Sequence, residues 1–270
     1  MSPSDMASAH DASPVSDQSQ EILLRVDSVG KVFGEDVIAL ENMQLTVNVG
    51  DFLSLLGPSG CGKSTVLRMI AGLMEPTSGK INWQGEHGSG SIGVVFQEPT
   101  LMPWATVEKN VWMPFRLQGK SLRAMRDQIY NALNLVGLDG FARSYPRELS
   151  GGMKMRVAIA RALATNPRVI LMDEPFAALD EITRFKLNDD LLALKEKFGC
   201  TIIFVTHSVV ESVFMSDRIA VMTARPGRVL DVISVDQPYP RSGLFRTSAE
   251  YAAYCRTTSD ALQRSIVTAG

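Results

Sequence analysis

The segment GPSGCGKST at residues 57–65 constrains this chain more than any other feature. The pattern G-x-x-x-x-G-K-[ST] needs glycines because backbone N–H groups must curl around phosphate oxygens without side-chain obstruction. The apolar run at 52–56 reads as a strand entering it. The stretch from Lys63 to Ala71 reads as a helix leaving it, stopped by Gly72 with Pro76 just beyond. That helix aims its N-terminal amides, which carry partial positive charge, at the same anion. Gly57, Pro58, Ser59, Gly60, Cys61, Gly62 and Thr65 then form a cradle. Lys63 reaches the β- and γ-phosphates of a nucleotide, and the Ser64 hydroxyl ligates Mg²⁺. A chance glycine-rich turn would have no reason to sit between a strand and a helix.

The rest of the pattern is α/β. Short strands are predicted at 22–26, at 43–49 (where Met43, Leu45, Val47 and Val49 alternate), at 80–83 and at 92–96, the last two separated by the turn GEHGSG. From about 98 to 164 the periodicity turns helical, most clearly at 122–136 and 157–163. Continuous apolar runs at 169–172, 201–205 and 219–222 then read as buried parallel strands, with helices at about 181–197 and 209–215 between them. Past Val235, Pro238 and Pro240 break the pattern. Residues 244–266 predict a short helical tail, with Leu244, Tyr251, Tyr254, Leu262 and Ile266 as apolar contacts. The organisation expected is a disordered N-terminal tail at 1–20, a core at 21–235 with a helical subdomain at about 98–164, and a tail at 236–270.

Charge and cysteine usage exclude some classes. A formal net charge of -2 argues against a dedicated nucleic-acid binder. Cys61, Cys200 and Cys255 form neither a metal cluster nor a disulfide framework, which fits a reducing compartment. No uncharged apolar run approaches the roughly 18 residues that a membrane helix needs, so work at a membrane requires a partner.

Two further segments carry chemistry. In VILMDE (169–174) a buried strand ends in two carboxylates: Asp173 is suited to hold Mg²⁺ through water, and Glu174 to orient or deprotonate an attacking water. Alone, such residues are more often helix caps or surface charge; beside a phosphate loop the catalytic reading prevails. In LSGGM (149–153), Ser150 stands where a helix N-cap belongs, and exposed Gly151 and Gly152 leave a second helix N-terminus open to anions. A plainly capped helix start is the alternative.

Taken in order, GPSGCGKST, Gln97, LSGGM, VILMDEP, AALD and His207 resemble the ATP-binding subunit of an ABC transporter, over roughly residues 21–235. The resemblance implies a P-loop NTPase core with an inserted helical subdomain and an antiparallel β edge. It implies a head-to-tail dimer, with ATP held between the phosphate loop of one copy and Ser150, Gly151 and Gly152 of the other. It gives Gln97 to Mg²⁺ and the lytic water, Asp180 to the dimer interface, and His207 to the γ-phosphate. Phe33 matches the aromatic that stacks on adenine, with an ordinary core Phe as its alternative.

The strings LSGGMKMRVAIARAL, DEPFAALDEITRFKLNDDLL and FVTHSVVESVFMSDRIAVM are similar to importers of the nitrate, sulfonate and taurine type, whose relatives also handle thiamine pyrimidine precursors. Met153 and Met155, where the wider family has glutamines, fit that group. The resemblance implies membrane-spanning permease subunits as partners, an extracytoplasmic solute-binding protein acting indirectly, and a peripheral place on the cytoplasmic face of the membrane. Pro103 and Trp104 are the expected permease contact; the alternative is that Trp104 fills the lobe's own core. Soluble ABC ATPases of DNA repair or translation would add a coiled-coil insertion or a second cassette. A small kinase would leave LSGG and AALD without purpose, and a scaffold without turnover would not need Glu174 and His207. Cys61, beside a helix N-terminus, is expected either to be a reactive thiolate that ATP protects or to be an inert small residue.

Overall fold

The structure, a computed structural model, describes residues 21–84 and 92–267. The expected tail at 1–20 and the turn GEHGSG lie outside the described residues. Strands β1 (Ile22–Phe33) and β2 (Val37–Asn48) lead into β3 (Phe52–Leu56), α1 (Lys63–Ile70), β4 (Ser78–Trp83) and β5 (Ile92–Val95). Three helices follow, α2 (Val107–Leu117), α3 (Arg126–Leu135) and α4 (Gly151–Leu163), before β6 (Val169–Asp173). The chain then runs α5 (Glu181–Phe198), β7 (Thr201–Thr206), α6 (Val209–Met215), β8 (Arg218–Met222), β9 (Val229–Ser234), α7 (Gly243–Arg246) and α8 (Ala249–Val267).

The strands form two sheets. One is antiparallel, in the order β2-β1-β4; the other has six strands in the order β5-β6-β7-β3-β8-β9, parallel except for β9. The central strands β3, β6 and β7 are buried along their whole length, as their continuous apolar runs require. Because side chains alternate across a strand, each central strand serves two cores. Ile203, Val205, Leu53, Leu55 and Leu171 face the antiparallel sheet and α1. Ile202, Phe204, Phe52, Ile170 and Met172 face the helices on the other side.

Strand β1 runs well past Val26, where the sequence reading ended it. Asp27 and Ser28 look like a turn, but the structure carries them through a register shift between Val26 and Val29, with Ser28 at φ 48°. The alternation in β2 buries Met43, Leu45 and Val47, whereas Val49 lies beyond the strand and is exposed. Strand β9, missed in the sequence, pairs antiparallel with β8 and ends the sheet.

In the helical segment, buried Asn110 of α2 organises the loop before it. Its amide donates to the carbonyls of Met102 (3.2 Å), Ala105 (3.1 Å) and Thr106 (3.0 Å), and its oxygen accepts from the Met102 N–H (2.7 Å). Arg161 of α4 donates to the carbonyls of Pro99 and Thr100 in the same loop. So held, the loop presents Trp104 at 77% exposure, which overturns a core role for that residue.

The C-terminal segment folds back on the core. Thr258, Ala261 and Ser265 are the buried face of α8, small residues that let the helix approach closely. Tyr251, Tyr254 and Leu262 pack as expected. Leu244 (81% exposed) and Ile266 point outward instead, because Phe245 takes the inward position in α7 and Ser265 does so in the last turn of α8. Arg241, fully buried, donates to the carbonyls of Val213, Phe214 and Ser216, the free C-terminal carbonyls of α6.

Candidate nucleotide site

The loop 57–62 leaves the C-terminal edge of β3 and enters α1 through backbone that glycine alone adopts freely. Gly60 has φ 76° and Gly62, the N-cap of α1, has φ 102°. A Cβ at Gly62 would also meet Leu40 Cδ2 at 2.7 Å. Helix α1 has no side-chain cap and no acidic residue in its first turn, so its leading N–H groups and dipole stay available to an anion.

Around this loop the adjacent strands β6, β7 and β3 end together and bring distant residues into contact. Lys63, only 4% exposed, donates to the carbonyls of Gly57 (2.8 Å) and Pro58 (3.0 Å), and its Nζ lies 3.8 Å from Glu174 Oε1. The Ser64 hydroxyl donates to Asp173 Oδ1 across 2.7 Å. Glu174 sits just past β6 in the left-handed region at φ 46°, its N–H donating to the Val205 carbonyl at 3.0 Å. A non-glycine residue in that conformation costs on the order of 1–3 kcal/mol, a strain found mostly where a side chain must be aimed. The aim here is His207, at the end of β7, whose Nδ1 is 3.1 Å from Glu174 Oε2.

A cleft of about 210 Å³ is lined by Ser59, Gly60, Gly62, Lys63, Ser64, Thr65, Glu174, Phe33, Ala39 and Arg225. Phe33, at the end of β1, is 39% exposed with the Lys31 ammonium 5.5 Å from its ring centre. It is therefore not an ordinary core Phe. Arg225, which sequence reading missed, donates to the Gly60 carbonyl at 3.2 Å. The signal was available: a basic residue just after the apolar run at 219–222, whose strand β8 adjoins β3.

Cys61 is corrected. It is 1% exposed, and burial pushes its thiol up despite the nearby Lys63 charge and the backbone N–H groups that act the other way. Loss of water around the sulfur outweighs the helix field. The reactive-thiolate reading therefore falls, and the inert one stands.

The other motif residues lie apart from this cleft. Gln97 is exposed, two residues beyond β5, and is not among the lining residues. Ser150 caps α4, its Oγ accepting from the Met153 N–H at 3.3 Å. Gly151 is exposed, but Gly152, expected to be so, is buried: a Cβ there would come within 2.8 Å of Thr183 Cγ2. Asp180 caps α5 by accepting from the Thr183 N–H at 2.9 Å, a bond that holds its exposed carboxyl below the usual range. The signature helix and the AALD turn thus meet at Thr183.

Comparison with known proteins agrees with this geometry. The family profile described as ABC transporter matches residues 40–177. The chain is 46% identical over 223 residues to the aliphatic sulfonates import ATP-binding protein SsuB of Bacillus cereus, covering 80% of this chain and 88% of that one. It is 44% identical over 221 residues to the nitrate import ATP-binding protein NrtD of Synechocystis, covering 80% and 83%. Among solved structures, a dimeric ATP-binding cassette in a post-hydrolysis state with ADP and Pi is 34% identical with a TM-score of 0.69, covering 80% of this chain and all of that one. With its phosphate loop, its paired carboxylates and its histidine at one sheet edge, the chain belongs to the ABC transporter family, as an ATP-hydrolysing cassette.

Proposed function

We propose that this chain energises an importer of small oxyanions of the sulfonate and nitrate class, working as a head-to-tail pair with ATP between the two copies. The observation that carries the reading is the set of contacts that ties Asp173 to Ser64, and Lys63 and His207 to Glu174, beside the phosphate loop, while Ser150, Gly151 and Asp180 are exposed and outside the cleft. A site so divided calls for a second copy, and the similarity to a dimeric cassette supports that arrangement. The substrate class rests on the likeness to the sulfonate and nitrate import subunits.

The residues take these roles. Loop amides from Gly57 to Thr65 and the Lys63 ammonium bind the phosphates, and Phe33 stacks on adenine. Ser64 and Asp173, already within hydrogen-bond distance, fit a hard divalent cation with oxygen ligands, to which Gln97 adds on closure. When bound, Mg²⁺ offsets charge on the β- and γ-phosphates. Glu174 takes a proton from water as the water oxygen bonds to the γ-phosphorus. The bond from that phosphorus to the β–γ bridging oxygen breaks, and its electron pair leaves with ADP. His207 orients Glu174 and donates to the γ-phosphate. Asp180 and the Ser150–Gly151 turn meet the partner copy, with Gly152 letting α4 pack close to Thr183 behind them.

No described helix is long and apolar enough to cross a membrane. A peripheral place on the cytoplasmic face, held by permease subunits at Pro103 and Trp104, follows from the importer reading; a solute-binding protein on the other side takes part indirectly. Glu174→Gln tests the site: it should keep ATP affinity, abolish turnover and run as an ATP-dependent dimer on gel filtration. Hydrolysis at the wild-type rate would overturn the role of Glu174. Co-purification of a membrane-spanning partner from detergent extracts tests the importer, and recovery of DNA or ribosomes instead would defeat it.

A further inference from the structure

The C-terminal segment is tied to two helices whose first residues belong to the site. Helix α5 starts from Asp180 and α6 starts from Ser208, the neighbour of His207. Helix α6 has only seven residues, too few to hold its own shape in water. Ser208 caps its N-terminus, and the tail supplies further polar contacts at both ends. Arg241 takes the carbonyls at its C-terminus, and the Tyr251 hydroxyl donates to the Val210 carbonyl in its first turn at 2.8 Å. Arg246 spans both helices. It donates to Asp189 Oδ1 of α5 at 2.8 Å, and its guanidinium lies 3.5 Å from the ring centre of Phe214 in α6.

A second tie lies at the site end of the same pair. Arg184 of α5 donates to the Leu179 carbonyl, next to Asp180, at 3.0 Å and lies 3.7 Å from Glu211 of α6. Glu211 accepts from the Thr206 hydroxyl at 2.7 Å, and that same oxygen accepts from the Ser208 N–H at 3.0 Å. The turn carrying His207 is therefore fixed to α6, and α6 is fixed to α5 at both ends.

From these contacts we infer that the segment 239–267 is a clamp that sets His207 relative to Asp180, with Arg246 and Tyr251 as positioning residues for ATP turnover. Neither touches the nucleotide cleft. The phosphate loop rests on β3 and α1, and the tail reaches its side only at the far end of α8, where Ser265 accepts from the Ala224 N–H beside Arg225, away from Arg246 and Tyr251. Loosening the clamp should therefore lower turnover without weakening ATP binding. The inference rests on the role given to His207 under the proposed function, so its test needs a readout that does not depend on activity.

The chain has three histidines, His10, His87 and His207, few enough for the imidazole NMR signal of His207 to be assigned by its loss in His207→Ala. In Arg246→Ala that signal should shift or broaden, kcat should fall about tenfold and ATP affinity should stay within twofold, while Arg246→Lys recovers part of the rate. If Arg246→Ala does not fold, Tyr251→Phe removes one hydroxyl and should show the same pattern at smaller size. An unmoved His207 signal overturns the clamp, as does a rate loss matched by lost ATP affinity. A moved signal at unchanged kcat overturns the link to turnover. Failure of the proposed function is separate: there, His207→Ala itself would leave kcat intact.

Discussion

Glu174 and His207 come from the ends of neighbouring strands, and their side chains meet at 3.1 Å, Oε2 to Nδ1. The contact exists because Glu174 accepts a left-handed backbone, which swings its carboxylate away from the line of β6 toward β7. A carboxylate so oriented is held ready to receive a proton. His207→Ala should lower kcat by about 100-fold, within the range expected for loss of a group that supports general base catalysis. ATP affinity, measured with a fluorescent analogue, should change little.

Gly62 should tolerate no side chain. Its φ of 102° and the 2.7 Å approach of Leu40 Cδ2 act together, so Gly62→Ala carries both backbone strain and a clash. A loss of about 1–3 kcal/mol in thermal or denaturant unfolding is expected, with ATP binding lost as the cradle opens. Gly151, with only Leu179 Cδ2 nearby at 3.6 Å, should accept alanine with little change in stability.

Native Cys61 should resist alkylation with or without ATP. Burial pushes its thiol up, as it does those of Cys200 and the less buried Cys255. Thiols raised by folding contribute stability that is fully present below the unfolded-state value of about 8.5. That contribution is lost as the pH rises through the folded values, so unfolding midpoints should fall above about pH 8.5. Iodoacetamide followed by peptide mapping should label Cys255 first and Cys61 only after unfolding. Early labelling of Cys61 would contradict the burial argument.

Asn110 and Trp104 should separate stability from association. Asn110→Ala strips partners from several loop groups at once and should destabilise the chain by roughly 1–3 kcal/mol, the cost of leaving buried polar groups unpaired. Trp104→Ala removes an exposed ring from a loop that Asn110 still holds. Its melting temperature should be unchanged, while recovery of a membrane-spanning partner in pull-downs falls.

What the sequence made legible, and what it hid, follows from how local each signal is. The phosphate loop, the carboxylates after β6 and the caps Ser150 and Asp180 depend on short stretches with one workable geometry, and residue order alone exposes them. Long β1 was hidden because its register shift at Asp27–Ser28 mimics a turn. Strand β9 was hidden because both its faces are at least partly solvent-exposed, leaving no clean alternation. Arg225 reaches Gly60 only across the sheet, Thr183 crowds Gly152 from another helix, and Gly227 closes on the backbone of Cys61. Such contacts join residues far apart in the chain, which periodicity cannot register.

The strand order also fixes when the nucleotide cradle can first exist. Strand β3, which feeds the phosphate loop, is bordered by β7 and β8: Phe52 pairs with Ile202 and Leu53 with Arg218. On the ribosome, GPSGCGKST emerges long before the strands that flank it, and parallel pairing of this range closes late. A nascent chain must therefore release most of its length before it can hold a nucleotide, and truncated translation products ending before Met222 should carry the complete motif yet bind nothing.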